Sequence, residues 1–247
     1  MDGFLGGRLM IRQPRGGYRA GADAVMLAAA CAAGPGESVL ELGCGAGVAA
    51  LCLSWRVPGA DIAGLERDPG YAALARENVQ AAGQAVQIYE GDLAAMPADL
   101  RARSFDHVIA NPPFFVPGSP SPDPARSVAR HEETPLETWI DAALRRLRPG
   151  GAITLIHLAG RLDAILPALW GRAGEVAVLP IAARHGRDAG RVIVTARKGA
   201  RGPLRLLAPF IMHEKPNHAG DGEDLSARAS AVLREGAPIM VNTRNIG

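Results

Sequence analysis

The sequence predicts an α/β fold in which helices cover both faces of a mostly parallel sheet. Short apolar runs of strand length alternate with longer segments of helical pattern between residues 23 and 170. Glycine and proline separate these segments, as in Gly34-Pro35-Gly36 and Pro149-Gly150-Gly151. Such an alternation is typical of parallel strands joined by crossover helices. A length of 247 residues suits one α/β domain or at most two small ones, and we expect one.

Five parallel strands are predicted at residues 38–42, 61–66, 86–90, 105–110 and 152–158. Helices are predicted at residues 23–33, 48–55, 69–82, 135–147, 162–170 and 227–234. Asp23 is placed to cap the first helix, and the third has Pro69 in its first turn and Gly83 after its end. Residues 175–181 and 191–197 are two strands with no room for a helix between them, so an antiparallel hairpin should complete a seven-stranded sheet at its C-terminal end. Residues 204–213 can add a further strand.

The composition predicts an aliphatic core and a soluble, cytoplasmic protein. Hydrophobic residues make up 48% of the chain but aromatic residues only 4%. The three cysteines, Cys31, Cys44 and Cys52, lack framework or metal-binding spacing, so we expect a reducing compartment and no metal. The N-terminus lacks the pattern of a signal peptide, and the longest apolar run, residues 24–33, is too short to span a bilayer. No membrane partner is expected.

Positive charge is concentrated in two segments, although the net charge is only +2. Residues 1–20 contain four arginines and one acidic residue, and residues 184–201 contain five arginines, one lysine and one acidic residue. The segments can flank a site for a polyanion, or they can be two solvated loops. The sequence leaves both interpretations open.

A glycine-rich turn follows the first predicted strand. Gly43, Gly45 and Gly47 stand between a strand and a helix, where glycine lets the backbone adopt positive φ and approach a ligand closely. A dinucleotide fingerprint needs its third small residue one position later, and Val48 at that position argues against a nicotinamide dehydrogenase. Cys44 is predicted to be a small filler of the turn, because no neighbouring histidine would activate its thiol.

Three acidic residues lie near the ends of successive predicted strands. Glu41 stands two residues before the first glycine, where a carboxylate suits a cationic ligand better than a phosphate. Glu66 ends the second strand and can accept both hydroxyls of a ribose. Asp92 follows the third strand and can accept the amino group of an adenine. S-adenosylmethionine combines a sulfonium, an ammonium, a ribose and an adenine without a phosphate, so these residues predict it as the cofactor.

The fourth predicted strand ends at Asn111-Pro112-Pro113-Phe114. Two consecutive prolines cannot continue a sheet, because they donate no backbone N–H, and Pro112 holds Asn111 in an extended conformation. The Asn111 side-chain oxygen and the Pro112 carbonyl can accept the two N–H groups of a planar amine, and Phe114 can stack on its ring. These three residues are the predicted catalytic set, and Asn111 should also border the cofactor. The proline-rich residues 117–124 follow as a loop that can cover a substrate.

Together these motifs resemble those of the class I S-adenosylmethionine-dependent methyltransferases. Residues 40–47 resemble the first motif of that family, Glu66 and Asp92 the second and third, and Asn111-Pro112-Pro113-Phe114 the fourth motif of its amino-methylating members. Residues 13–28 resemble a narrower group, the bacterial tRNA(Val) adenine-N6-methyltransferases. The resemblance implies a Rossmann-like methyltransferase core over residues 37–247, with residues 1–36 covering substrate or cofactor. It also implies N6-methylation of an adenine in RNA, with tRNA as the expected partner.

Other functions are compatible with the same motifs. Guanine-N2 rRNA methyltransferases and protein-glutamine N-methyltransferases share the Asn-Pro-Pro motif, because their target nitrogens are delocalised in the same way. The glutamine enzymes usually carry a longer helical N-terminal domain than the roughly 36 residues that precede the first strand here. A different class is an RNA-binding module that keeps a vestigial cofactor pocket. The oligomeric state stays open.

Overall fold

The computed structural model describes residues 1–113, 134–215 and 224–241. Two short strands form an N-terminal hairpin: β1 (Asp2–Phe4) and β2 (Leu9–Ile11). The strands of the central sheet are β3 (Ser38–Leu42), β4 (Asp61–Glu66), β5 (Val86–Glu90), β6 (Phe105–Ala110), β7 (Leu147–Leu158), β8 (Ala173–Ala182), β9 (Ala189–Lys198), β10 (Arg205–Leu206) and β11 (Phe210–Ile211). The helices are α1 (Ala22–Ala30), α2 (Val48–Arg56), α3 (Pro69–Ala82), α4 (Ala98–Ala102), α5 (Leu136–Arg146), α6 (Leu162–Leu169) and α7 (Ala227–Glu235), with a 3-10 turn at Ala159–Arg161.

The central sheet confirms the predicted α/β class and differs from the prediction in its strand count. Its strands lie in the order β10-β8-β9-β7-β6-β3-β4-β5, and β11 also pairs with β8. β3 to β7 are mutually parallel, and β9 runs antiparallel to both β7 and β8, which is the predicted hairpin. The described sheet has nine strands rather than seven. β10 and β11 are the additional strands. Both lie within residues 204–213, for which one further strand was predicted, and each is only two residues long.

Several element boundaries differ from the predicted ones. α1 begins at Ala22 and ends at Ala30, and Gly21 rather than Asp23 is its N-cap residue. Asp23 lies in the first turn of α1, where its carboxylate pairs with Arg191 at 3.1 Å instead of capping the helix. α5 ends at Arg146, and the predicted stop at residues 149–151 belongs to the start of β7. The N-terminal hairpin was not predicted.

The core has two parts, one on each face of the sheet. Alternate residues of β3 face opposite sides. Val39 belongs to the same core cluster as Leu27 of α1 and Leu51 of α2, whereas Leu40 belongs to the other cluster, with Ile140 of α5. All of these side chains are fully buried, and each contributes on the order of 1.5–3 kcal/mol to folding. Helices therefore cover both faces and leave the edges of the sheet for ligands.

The parallel strands bring the predicted site residues to one edge of the sheet. Leu42, the last residue of β3, pairs with Leu65 of β4 and with Ala110 of β6. The glycine turn, Glu66 and Asn111 directly follow or end these strands, so all of them lie at the carboxyl edge. Ligands of open α/β sheets bind at this edge.

Candidate functional site

The glycine turn after β3 has the predicted backbone conformation. The φ angles are +65° at Gly43, +54° at Gly45 and +82° at Gly47. The Cys44 N–H donates to the Leu65 carbonyl at 3.0 Å, which holds the turn against β4. A Cβ at Gly43 would lie 2.5 Å from Cη2 of Trp139, whereas a Cβ at Gly45 would meet nothing within 4 Å. Packing therefore requires glycine at position 43, and the backbone at Gly45 is open to a ligand.

A crevice beside this turn brings several predicted residues together. It is lined in part by Glu41, Gly43, Cys44 and Asn111 from the predicted set, and by Gln13 and Tyr18 from the N-terminal segment. We call it the glycine-turn crevice. The remaining predicted cofactor residues, Gly45, Gly47, Glu66 and Asp92, are not among its lining residues.

Glu41 is a buried acid at the base of the glycine-turn crevice. It shares the face of β3 with Val39, toward α2, and its Oε2 accepts the Ala50 N–H at 2.8 Å. Burial raises the pKa of Glu41 to about 8, a shift that the Ala50 hydrogen bond opposes and the nearby Glu66 reinforces. A cation beside this carboxyl would favour its charged form, so the site is suited to a cationic ligand.

Glu66 and Asp92 shape the edge of the sheet next to the crevice. The two oxygens of Glu66 accept the Gly45 N–H at 2.8 Å and the Asp68 N–H at 2.9 Å. A carboxylate has about four acceptor positions, so capacity for hydroxyl donors is left. Asp92 is partly buried after β5, and its Oδ1 accepts the Ala94 N–H at 2.8 Å.

Cys44 fills space inside the turn. Its Sγ is so close to Gly64 of β4 that a Cβ at that glycine would lie 2.8 Å from the sulfur. Burial, together with the charges of Glu41 and Glu66, raises the pKa of the Cys44 thiol well above its usual value. A thiol that resists ionisation is a poor nucleophile, which agrees with the filler role.

Asn111 presents an unused acceptor at the border of the glycine-turn crevice. Its Nδ2 donates to the Tyr18 hydroxyl oxygen at 3.1 Å. Its Oδ1 is buried and has no hydrogen-bond partner among the described residues. A buried acceptor without a donor is costly, so this atom is a strong candidate to bind an N–H of a ligand. Phe114 and residues 117–124 lie outside the described residues, and their predicted roles stay predictions.

His157 supports the loop that follows Asn111, a role that the sequence did not reveal. It is buried at the end of β7, and its Nδ1 accepts the Leu158 N–H at 2.8 Å, so Nε2 carries the proton. It also hydrogen-bonds the backbone of Pro113, which has only a carbonyl to offer. Burial lowers the pKa of His157 to about 4, assisted by Arg161 and Arg191. A neutral imidazole therefore anchors the Asn-Pro-Pro loop.

The sequence profile of the methyltransferase small domain family matches residues 21–164. The chain belongs to this family. A tRNA1(Val) (adenine(37)-N6)-methyltransferase of Porphyromonas gingivalis is 37% identical over 194 residues, which are 72% of this chain and 76% of the relative. The same-named protein of Actinobacillus succinogenes is 30% identical over 208 residues, 80% of this chain and 84% of the relative.

A solved structure supports the assignment. The crystal structure of a predicted O-methyltransferase, protein Atu636 from Agrobacterium tumefaciens, is 28% identical, covers 91% of this chain and 100% of its own, and has a TM-score of 0.73. The predicted Rossmann-like fold and the predicted class, S-adenosylmethionine-dependent methyltransferase, are confirmed. None of the helices in residues 1–113, 134–215 and 224–241 could cross a membrane. The same residues contain no group of His, Cys, Asp or Glu that could hold a metal.

The N-terminal segment of the methyltransferase is tied to the glycine turn by Asn78, which the sequence analysis missed. Asn78 of α3 is buried, and its Nδ2 donates to the carbonyls of Arg12 and Ala46, each at 2.9 Å. Its Oδ1 accepts the Arg12 N–H at 2.9 Å. The sequence spacing indicates that Asn78 is buried, because it continues the i, i+3 stripe of Ala72 and Ala75 on one face of α3.

The second basic segment of the methyltransferase is divided between two edges of the sheet. Arg191 of β9 lies opposite Leu158, the residue at the carboxyl end of β7, in the strand register. The exposed Arg187 lies in the loop just before β9. Arg197 of β9 pairs with Ala152, in the half of β7 nearer its amino end, and its guanidinium donates to the Gly150 carbonyl. Only the first half of the segment therefore lies at the same edge as Asn111.

Proposed function

We propose that this methyltransferase transfers a methyl group to N6 of an adenine in RNA, and that tRNA is the substrate. The observation that carries the proposal is the buried, unpartnered Oδ1 of Asn111 at the border of the glycine-turn crevice. An exocyclic amine is a poor nucleophile, because its lone pair is delocalised into the ring. Asn111 Oδ1 would accept one N–H of the amine and the Pro112 carbonyl the other, which fixes the lone pair toward the crevice. Phe114 would stack on the base.

Orientation and charge complementarity are then the main contributions of the protein. Bound S-adenosylmethionine supplies an electrophilic methyl group on a sulfonium. Asn111 and Pro112 hold the nucleophile in line and accept hydrogen bonds that strengthen as the amine nitrogen becomes positive. No strong base is needed, because a methylated aminium loses its proton readily. His157 fixes the carbonyl of Pro113 and so keeps the loop rigid.

We also propose how the cofactor is held. Glu41 would face the ammonium, the open backbone at Gly45 would lie against the ligand, and Glu66 would accept the ribose hydroxyls. Asp92 would accept the adenine amino group. Gly43, Cys44 and Gly47 would shape the turn. Support comes from the chemistry of the residues, since acids and open backbone suit a ligand that is cationic and carries no phosphate.

The residues that cover this site are part of the same proposal. Residues 37–247 would form a single catalytic core, and residues 1–36 would cover the cofactor. Gln13 and Tyr18 line the glycine-turn crevice, and Asn78 binds the backbone of Arg12, which favours this role. Arg187 and Arg191 lie at the carboxyl edge, where RNA phosphates would pass. Three buried free cysteines and a tRNA substrate favour a cytoplasmic location.

The amine target is preferred to an oxygen target for a physical reason. A hydroxyl has one hydrogen to donate, so it would leave either Asn111 Oδ1 or the Pro112 carbonyl unpaired. An amine satisfies both acceptors. The names of the relatives favour adenine N6, and an RNA loop is the natural substrate because the base must leave its stack. Guanine-N2 and glutamine amide nitrogens also offer two N–H groups, so experiment must separate them.

The decisive experiment incubates the purified protein with methyl-labelled S-adenosylmethionine and total RNA, followed by nucleoside analysis. N6-methyladenosine in the tRNA fraction is the expected product. N2-methylguanosine in rRNA, or label in protein, would establish one of the alternative substrates instead. Calorimetry that detected no S-adenosylmethionine binding would favour the RNA-binding module.

Asn111→Ala tests the assigned chemistry. Removing one transition-state hydrogen bond should lower turnover by about two to three orders of magnitude, and the dissociation constant for S-adenosylmethionine should change by less than about twofold. A variant that methylates at the wild-type rate would show that the role of Asn111 is wrong.

A further inference from the structure

Tyr18 reaches from the N-terminal segment to the proposed catalytic amide. Its hydroxyl oxygen accepts the N–H of Asn111 Nδ2 at 3.1 Å, across 93 positions of sequence. Tyr18 also lines the glycine-turn crevice together with Glu41 and Gly43. Its hydroxyl therefore lies at the junction between the cofactor site and the target amine.

The backbone around Tyr18 is held on both sides. The Tyr71 hydroxyl donates to the Tyr18 carbonyl at 2.9 Å. Gly17 has a φ of +91°, and a Cβ there would lie 2.9 Å from the Tyr71 hydroxyl oxygen. The Gln13 side chain accepts the Ala20 N–H at 2.7 Å and closes the loop that contains Tyr18. The contact with Asn111 is thus made by an anchored loop, although more than half of the Tyr18 surface is exposed.

The amide of Asn111 needs such a partner. The terminal torsion of an asparagine side chain is broad, so the amide plane turns easily unless a hydrogen bond fixes it. With Nδ2 bound to Tyr18, Oδ1 is left buried and unpaired, ready for the target N–H. If the plane turned, Nδ2 would meet the N–H groups of the amine, and two donors would face each other.

We propose that Tyr18 is a positioning residue, which holds the Asn111 amide with its oxygen toward the nucleophilic amine and so couples the N-terminal cover to methyl transfer. This inference rests on the proposed role of Asn111. The Tyr18 ring would cover the cofactor, and its hydroxyl would orient the catalytic amide.

The hydroxyl stays neutral over the whole pH range of an assay. Burial of the hydroxyl raises the pKa of Tyr18 to about 12, and the negative charges of Asp23 and Glu41 and the neighbouring Tyr71 add to this effect. The Tyr18 contribution to turnover should therefore be the same at pH 7 and pH 9.

Tyr18→Phe tests the proposal, because it keeps the ring and removes the hydroxyl. Loss of one hydrogen bond should lower kcat by about three- to tenfold, with the dissociation constant for S-adenosylmethionine and the melting temperature within error of wild type. Tyr18→Ala should lower kcat and also weaken S-adenosylmethionine binding, since the ring is lost. Tyr89→Phe is the matched control. Tyr89 lies on β5 and does not line the crevice, and its hydroxyl oxygen accepts a hydrogen bond from Arg103, so kcat should not change.

Two results would overturn the proposal. Tyr18→Phe could turn over at the wild-type rate, or it could lose cofactor affinity and stability in proportion to kcat, which would indicate a merely structural role. All variants are assayed on whichever substrate the wild-type protein methylates. A wild type that modifies something other than RNA adenine contradicts the proposed function, whereas an unchanged Tyr18→Phe contradicts only this inference.

Discussion

Binding of S-adenosylmethionine should release a proton from Glu41 at neutral pH. Burial raises the pKa of this carboxyl to about 8, so about nine-tenths of the free protein carries the proton at pH 7. If the cofactor ammonium lies beside Glu41, it favours the charged carboxylate and lowers that pKa. We therefore expect a net release of up to about 0.9 proton for each cofactor bound at pH 7. The cofactor's own α-amino group is already mostly charged at this pH and takes up little.

Titration calorimetry in two buffers of different ionisation enthalpy measures this number. The slope of the observed binding enthalpy against the buffer enthalpy gives the protons exchanged. Glu41→Gln is the matched control, because its amide oxygen can still accept the Ala50 N–H while the side chain cannot titrate. A wild-type slope equal to that of Glu41→Gln would refute the reasoning.

The same pKa has a consequence for the free protein. Between pH 4.5 and about pH 8 the folded state keeps a proton that the unfolded chain has released. The contribution of Glu41 to stability is therefore complete below pH 4.5 and is lost as pH rises toward 8. Glu41→Gln should remove this part of the pH dependence of stability. In the wild type, bound cofactor should offset the stability that is lost as pH rises.

Two further predictions concern His157 and the divided basic segment. The pKa of His157 falls from 6.5 to about 4, so its contribution to stability is complete above pH 6.5 and declines by up to about 3 kcal/mol as pH falls to 4. Urea unfolding at pH 7 and pH 4.5 should show that the free energy of unfolding falls less in His157→Gln, which keeps an acceptor and a donor, than in the wild type. Equal losses of unfolding free energy in the two proteins would contradict the pKa assigned to His157. Arg187→Ala should raise KM for RNA and reduce the slope of log KM against log salt by about 0.7–0.9, because one phosphate contact is lost. Arg201→Ala removes the same charge from the same segment, but at the opposite edge of the sheet, and should leave KM for RNA and its salt slope unchanged. Similar effects of the two variants would disprove the proposed RNA face.

Local interactions explain what could be predicted from the sequence. α3 has the predicted bounds, because Asp68 accepts the Tyr71 N–H at its start and Gly83 takes a φ of +61° at its end. The glycine turn is equally local, since glycine is the residue that best fits its positive φ angles. α1 shows the limit of such reasoning. Asp23 suits a helix cap by its type, but Arg191 in a distant strand competes for its carboxylate.

The sequence alone determined the fold class, the positions of the main strands along the chain and the edge at which Glu41, Glu66 and Asn111 would meet, because alternating apolar runs and strand-terminating glycine and proline encode these features within a few residues. Tertiary structure decided which of these groups share a crevice, how Tyr18 reaches Asn111, and that the second basic segment is split. These outcomes depend on hydrogen bonds and strand pairing between residues tens of positions apart. No local pattern records such partners, since each side chain could satisfy its hydrogen bonds in several ways until the packed sheet selects one.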